Sequence, residues 1–318
     1  MAFIRIIPVL WILCSLGVAV PAPLSLEQAY FESIKRTEII LGKDEEIRQA
    51  EEKYRQAIGG LLPNISGFAS YQWQAAAGGG AFSPSKQPLV KVSANQPLFR
   101  GLRDFAGLKQ ASLLTEASKQ GKEFALQQLF NDVTQSFYLV LSLEQELINL
   151  QSQIRALEQR IADLRGRIKI GRSRMTEALT VQANLSTLKG QFVQTQGQLQ
   201  AAKESFSFLT GIQEVANLKD SLTLQEKVPV LSQYLESLST RPDLKMRSLQ
   251  LEAADKGVSV AWGAHLPSID LNGNYYFKRF GLLDQVPWDV GVSLSLPILN
   301  GGILSSKVSE ANSVKMQA

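Results

Sequence analysis

Leu126, Leu129, Val133, Ser136, Val140, Leu143, Leu147, Leu150, Ile154, Leu157, Ile161, Leu164 and Ile168 follow one another in unbroken steps of three and four residues. A period of 3.5 sustained this long predicts a left-handed coiled coil. A helix from Leu102 to Ile170 is roughly 100 Å long at about 1.5 Å per residue, and no compact globular domain contains one. Gly171 interrupts the pattern, which resumes in the same steps at Ala178, Val181, Leu185, Leu188, Phe192, Thr195, Leu199, Ala202, Phe206 and Leu209. Two helices therefore pack antiparallel across a tight turn between Gly171 and Met175. "LTGI" (Leu209 to Ile212) closes the hairpin, with Gly211 as its C-terminal cap.

Upstream and downstream of this hairpin the period changes to two. Ile65, Gly67, Ala69, Tyr71 and Trp73 alternate with Ser66, Phe68, Ser70 and Gln72, and only Phe68 breaks the alternation. After a stretch rich in Ala, Gly and Ser, which includes Gly78 to Gly80, the alternation returns with Val90, Val92 and Ala94 against Lys91, Ser93 and Asn95. Ile269 to Phe277 and Trp288 to Leu296 repeat the arrangement. These are strands with one apolar face, each about nine residues long, enough for a tilted strand to cross a bilayer. Each hairpin follows a Leu-Pro junction, "LLPNIS" or "HLPSID", and each ends in a matching phrase, "QPLFRG" or "LPILNGG". The chain is internally duplicated, in units too long for a solenoid repeat.

The N-terminus reads as a secretory signal peptide: Arg5, an apolar run to Val20, and small residues at Ala19 and Ala22. An anchoring helix is the competing reading, for which the run is short. Cys14, the only cysteine, lies inside that run, so the mature chain has no disulfide and no thiol chemistry. "SLEQ" from Ser25 opens the mature chain with a capping box, and a loosely amphipathic helix then runs to Gly59. No later segment holds about twenty consecutive apolar residues. If the chain crosses a membrane, it does so as strands. The net charge of +4 is small and its basic residues are mixed with acids, so nucleic acid is not an expected partner.

Hydrogen bonding sets the next step. Four strands greasy on one side cannot lie in lipid as an open sheet, because each unpaired edge amide costs several kcal/mol. The smallest membrane barrels have about eight strands, so several chains must share one barrel. Lys91, Ser93, Asn95, Asp270, Asn272 and Asn274 then line its wet interior; the alternative is solvent exposure on a soluble sheet. Tyr71, Trp73, Tyr275 and Trp288 read either as interfacial girdle residues or as core aromatics. Pro63, Pro97, Gly101, Pro267, Pro297 and Gly301 mark the junctions where helix and strand exchange, proline ending the helical hydrogen bonding at the turn into each strand and glycine allowing the tight return.

Taken in order, "SLEQA", "GGLLPNIS", "QPLFRG", "IGRSRMTEALTVQANL" and "LPSIDLNGNYYF" resemble the TolC outer-membrane efflux protein family over nearly the whole mature chain. The resemblance implies an α+β membrane fold in which four transmembrane strands per protomer contribute to a trimeric twelve-stranded β-barrel, continued by long antiparallel coiled-coil helices that form a periplasmic tunnel. It implies a homotrimer in the outer membrane of a Gram-negative bacterium, in contact with outer-membrane lipid. The implied function is passive conduction in efflux or type I secretion, driven by an inner-membrane pump through a periplasmic adaptor. On this reading residues 1–22 are the signal peptide, 23–63 an N-terminal helical segment, 64–97 and 267–297 the transmembrane hairpins, and 98–212 the periplasmic coiled-coil hairpin. An equatorial connector occupies 213–239, the second-repeat helix 240–266, and 298–318 begin a second helical hairpin that family members complete.

The resemblance also implies that the turn at Gly171, Arg172, Ser173, Arg174, Met175 and Thr176 docks on the adaptor; the residues alone allow a solvated basic turn equally. His265 is the single histidine and has no acidic or cysteine cluster beside it in sequence, so neither a metal site nor a catalytic triad is expected. Gly78 to Gly80 lack the Gly-Lys-Ser/Thr ending of a phosphate loop. No enzyme constellation and no cofactor are expected. The alternatives to a transport channel are a non-transporting structural coiled coil of the envelope and an inactive fragment.

Overall fold

The computed structural model describes residues 23–75, 86–213, 217–220, 222, 230–281 and 283–318. The expected signal peptide and Gly78 to Gly80 lie outside the described residues. In chain order the elements are α1 (Leu26–Arg36), α2 (Glu38–Gly59), β1 (Asn64–Trp73), β2 (Lys86–Arg100), α3 (Arg103–Lys169), α4 (Met175–Thr210), α5 (Leu231–Ser237), a 3₁₀ turn (Leu238–Thr240), α6 (Pro242–Gly263), β3 (Ser268–Lys278), β4 (Trp288–Ser295) and α7 (Ile303–Gln317). They group into two compact units. One comprises the residues through Thr37 with Leu129–Leu224, the other Glu38–Gln128 with Gln225–Ala318.

The first unit is the coiled coil. Leu129, Val133, Val140, Leu143, Leu150, Ile161 and Leu164 of α3 are buried, as are Ala178, Leu185, Thr195, Ala202 and Phe206 of α4. One heptad position differs from expectation: Phe137, not Ser136, enters the core. A phenyl ring buries far more apolar area than a hydroxymethyl group, and a helix of 3.6 residues per turn accommodates a local 4-4-3 spacing. Its ring lies 6.1 Å from that of Phe206. Ion pairs Lys189–Glu158 at 2.7 Å and Lys203–Glu144 at 2.6 Å flank the seam; being partly exposed they contribute little beside the apolar core. Phe206→Ala is expected to cost about 3–5 kcal/mol, read as a lowered urea midpoint. A loss under about 1 kcal/mol would remove Phe206 from the core.

The N-terminal helical segment is two helices where one was expected. Ser25 and Gln28 form the capping box of α1, but Thr37 is extended, at φ −69° and ψ 116°. Its hydroxyl and its N–H both donate to the Ser33 carbonyl, which closes α1 before α2 begins. The buried face of α1, Leu26, Ala29 and Ser33, packs on the end of α4, where the Arg36 guanidinium donates to the Gly211 carbonyl at 3.2 Å. Gly211 caps α4 in the left-handed conformation at φ 71°. The expected connector, 213–239, carries helix α5 as well.

The second unit is a four-stranded antiparallel sheet, in the order β1-β2-β3-β4, with its helices. The two duplicated hairpins thus lie side by side, joined through β2 and β3. Both hairpins share one register: Asn64 faces Asn95 in the first and Ser268 faces Ser295 in the second. At the first junction proline does not end the strand. β2 runs through Pro97 to Arg100, with a shift of register between Pro97 and Phe99. Proline lacks one donor, and a bulge places that loss where no ladder bond is needed. In the second repeat β4 stops at Ser295, before Pro297. Helix α7 packs on α6, and a hydrogen bond from the Lys315 ammonium at 2.6 Å holds the Asp255 carboxyl below the usual carboxylate range.

Candidate functional site

The six polar residues expected in a lumen stand on one face of the sheet and form a hydrogen-bonded ladder across three strands. Ser93 Oγ and Lys91 Nζ both donate to Asn274 Oδ1, at 2.8 and 3.0 Å, and Asn274 Nδ2 donates to Asp289 Oδ1 at 2.7 Å. One row along, Asn95 Nδ2 donates to Asn272 Oδ1 at 2.6 Å and Asn272 Nδ2 to Ser293 Oγ at 3.0 Å. Beyond them Arg100 reaches Asp270 Oδ1 at 3.0 Å, a charge-assisted contact with both side chains more than two-thirds covered. Arg279 stacks its guanidinium 4.2 Å from the Tyr276 ring.

Asp289, Ser293 and Arg100 were not among the expected site residues. The first two carry a legible signal, since they alternate with Trp288, Val290 and Val292 in the same way as the residues that were singled out. Arg100 carries none, because it lies beyond the register shift at Pro97 and Phe99.

The opposite face is apolar and uncovered. Ile65, Trp73, Phe277, Trp288, Val290, Val292 and Leu294 are each between 61% and 71% exposed. Tyr71, Trp73, Tyr275 and Trp288 are therefore not core residues. With Phe277 they gather at the loop end of the sheet, Tyr71 and Trp73 with ring centroids 4.4 Å apart and Tyr275 and Phe277 at 5.2 Å. β1 and β4 are edge strands on either side.

At the junctions the chain turns through left-handed backbone. Gly101 has φ 64° and Leu102 φ 60°; their counterparts Gly301 and Gly302 have φ 63° and 82°. Gly101 lies against the end of α6, where a Cβ would stand 2.2 Å from the Gly263 carbonyl oxygen and 2.8 Å from Leu266 Cβ. Pro63 and Pro267 directly precede β1 and β3. His265 lies beside Trp262 with ring centroids 5.4 Å apart, and its buried Nδ1 has no hydrogen-bond partner among the described residues. Among the described residues no His, Cys, Asp and Glu group can hold a metal ion, and no helix is long and apolar enough to cross a membrane.

The far turn of the coiled coil is a Schellman motif. The Gly171 N–H donates to the Ile168 carbonyl at 3.0 Å and the Arg172 N–H to Arg167 at 2.9 Å, with Gly171 at φ 75°. Ser173 Oγ donates to Glu177 Oε2 at 2.5 Å. Ile170 and Met175 are 65% and 62% exposed, so the tip presents apolar side chains among the basic ones, Arg172 and Arg174. Ile161, Arg165, Ile168, Met175 and Leu179 line a shallow groove of about 310 Å³ behind it.

A sequence profile described as outer membrane efflux protein matches residues 43–212, more than half of the chain. The chain belongs to the outer membrane efflux protein family. It is 22% identical over 238 residues to the outer membrane efflux protein BepC of Brucella suis, covering 72% of this chain and 51% of BepC. To the outer membrane protein TolC of Vibrio cholerae it is 21% identical over 215 residues, covering 64% and 48%. The chain thus spans about half the length of these relatives, which are outer membrane proteins of Gram-negative bacteria. Among solved structures, the outer membrane protein VceC of Vibrio cholerae matches with a TM-score of 0.80 at 15% identity, over 92% of this chain and 73% of VceC. That likeness is one of fold. In this outer membrane efflux protein the profile match takes in the first hairpin, the junction at Gly101 and the tip from Gly171 to Thr176; Asp270, Asn272, Asn274, Pro267, Pro297 and Gly301 lie beyond it.

Proposed function

We propose that this chain is a subunit of an outer-membrane channel-tunnel for efflux or type I secretion, a passive conduit coupled to an inner-membrane pump through a periplasmic adaptor. The observation that carries the reading is the two-faced sheet: an uncovered apolar face ringed by aromatics at one end, backed by a continuous polar ladder, with an edge strand on each side. Lipid suits the first face and water the second. Three copies with four strands each close a twelve-stranded barrel and leave no unpaired edge. Lys91, Ser93, Asn95, Asp270, Asn272 and Asn274 then line the lumen, and α3 and α4 extend as periplasmic walls toward the adaptor-docking tip. Membership of the outer membrane efflux protein family supports the same role. A structural coiled coil without transport has no use for such a sheet.

The test is expression in a Gram-negative host lacking its own efflux channel. The protein is expected in outer-membrane fractions, to migrate on unboiled gels near three times the mass of the boiled subunit, and to restore export of a dye when its pump and adaptor are supplied. A soluble monomer would exclude the reading.

A further inference from the structure

We infer that the row Phe68, Lys91 and Tyr276, with Arg279 beside it, is a binding site for aromatic carboxylates and sulfonates on the polar face of the sheet. The inference rests on the channel reading above and names a class of solute that the lumen holds in passage.

Phe68 opens the argument because it alone breaks the alternation of β1, an aromatic ring on the face where Ser66, Ser70 and Gln72 stand. It is 49% exposed, so packing within the chain does not account for it. In the register of the sheet Phe68 lies opposite Lys91 of β2, and Lys91 lies opposite Tyr276 of β3. Directly opposed residues stand about 4.5–5.5 Å apart at Cβ, which puts a cation between two aromatic residues. Lys91 Nζ is 5.8 Å from the centroid of the Tyr276 ring, and the Arg279 guanidinium is 4.2 Å from it.

These two charges are not cancelled in the way that Asp270 answers Arg100 at the other end of the sheet. Lys91 donates to the neutral amide oxygen of Asn274 at 3.0 Å, and Arg279 stacks on a ring. An ammonium has three N–H donors, and a guanidinium lying on a ring keeps its in-plane N–H groups for a planar oxyanion. The Asp289 carboxylate accepts from Asn274 Nδ2 at 2.7 Å. Charge over the whole loop end is basic: Lys86, Lys91, Lys278 and Arg279 stand against Asp284 and Asp289, and Gln74 to Gln87 contain no acidic residue.

A small inorganic anion would use the cations alone, and a neutral aromatic solute the rings alone. A carboxylate or sulfonate carried on a flat ring uses both, its oxygens on Lys91 and Arg279 and its ring against Phe68. Asn274 holds Lys91 and is itself tied to Ser93 and Asp289, so the ammonium is positioned before a ligand arrives, which lowers the ordering cost of binding.

Channels of the full chain in planar bilayers, titrated with 1-naphthoate at low ionic strength where exposed charges are least screened, test the site. The current is expected to fall at concentrations at least tenfold below those needed with cyclohexanecarboxylate, which has the charge without the flat ring. Lys91→Gln keeps a donor for Asn274 and should weaken the block by 1-naphthoate at least tenfold. Phe68→Ser restores the alternation of β1 and should weaken it at least threefold while leaving cyclohexanecarboxylate unaffected. Asp289→Asn keeps an acceptor for Asn274 and should strengthen the block. Equal block of wild type, Lys91→Gln and Phe68→Ser, with the oligomer present on unboiled gels, overturns the site and leaves the channel standing. Loss through Lys91→Gln that is the same for both acids, with Phe68→Ser silent, reduces the row to general attraction of anions and overturns its aromatic preference. No conducting channel from the wild-type chain removes both readings.

Discussion

Gly101→Val is expected to prevent the first junction from forming. At φ 64° a β-branched residue costs about 1–2 kcal/mol in the left-handed region. The added carbon also stands 2.2 Å from a backbone oxygen and 2.8 Å from Leu266 Cβ. A flexible side chain tip could move aside, but the Gly263 carbonyl cannot without bending α6 away from β3. Forced repacking of this kind costs about 1–3 kcal/mol more, and the total is a large share of a typical stability of about 5–15 kcal/mol. The variant should accumulate poorly and lose resistance to urea, with Gly101→Ala less affected. A wild-type midpoint for Gly101→Val would show that the close approach to α6 is not needed.

The opposite outcome is expected at Gly171, another of the left-handed glycines. Gly171 has φ 75° but nothing within 4 Å of a built Cβ. Gly171→Trp therefore strains only the Schellman turn, and the coiled-coil seam from Ile161 and Leu164 onward remains buried as before. Oligomer yield should stay near wild type. If the tip docks on the adaptor, export should fall at least tenfold, because the bulky ring occupies the surface that Ile170, Arg172 and Met175 share. Export at wild-type rate, with the oligomer intact, would return the tip to a solvated turn.

The comparison of these two glycines explains what could be read in advance and what could not. Both stand out in the sequence as helix breakers at element boundaries. Only the folded chain distinguishes them, because the partner of Gly101 is Gly263, more than a hundred residues away and without a signal of its own.

The heptad run of α3 and α4 and the alternation of the four strands were legible because each is a local periodicity. A residue's face in a helix or strand depends on its neighbours a few positions away, and burying one face dominates the energetics. The same logic placed Lys91, Ser93, Asn95, Asp270, Asn272 and Asn274 together on one face. It erred by one position at Ser136, where the larger ring of Phe137 outweighed strict spacing. It also missed the break at Thr37, which depends on hydrogen bonds back to the Ser33 carbonyl. Period, capping and the two-faced character of the strands are thus properties of the sequence itself. Tertiary structure alone decided that β2 pairs with β3, that the ladder extends through Arg100 to Asp270, and that Gly101 meets Gly263. Pairing between distant segments is chosen by the complementarity of whole faces and by closure of the chain, and no local pattern encodes it.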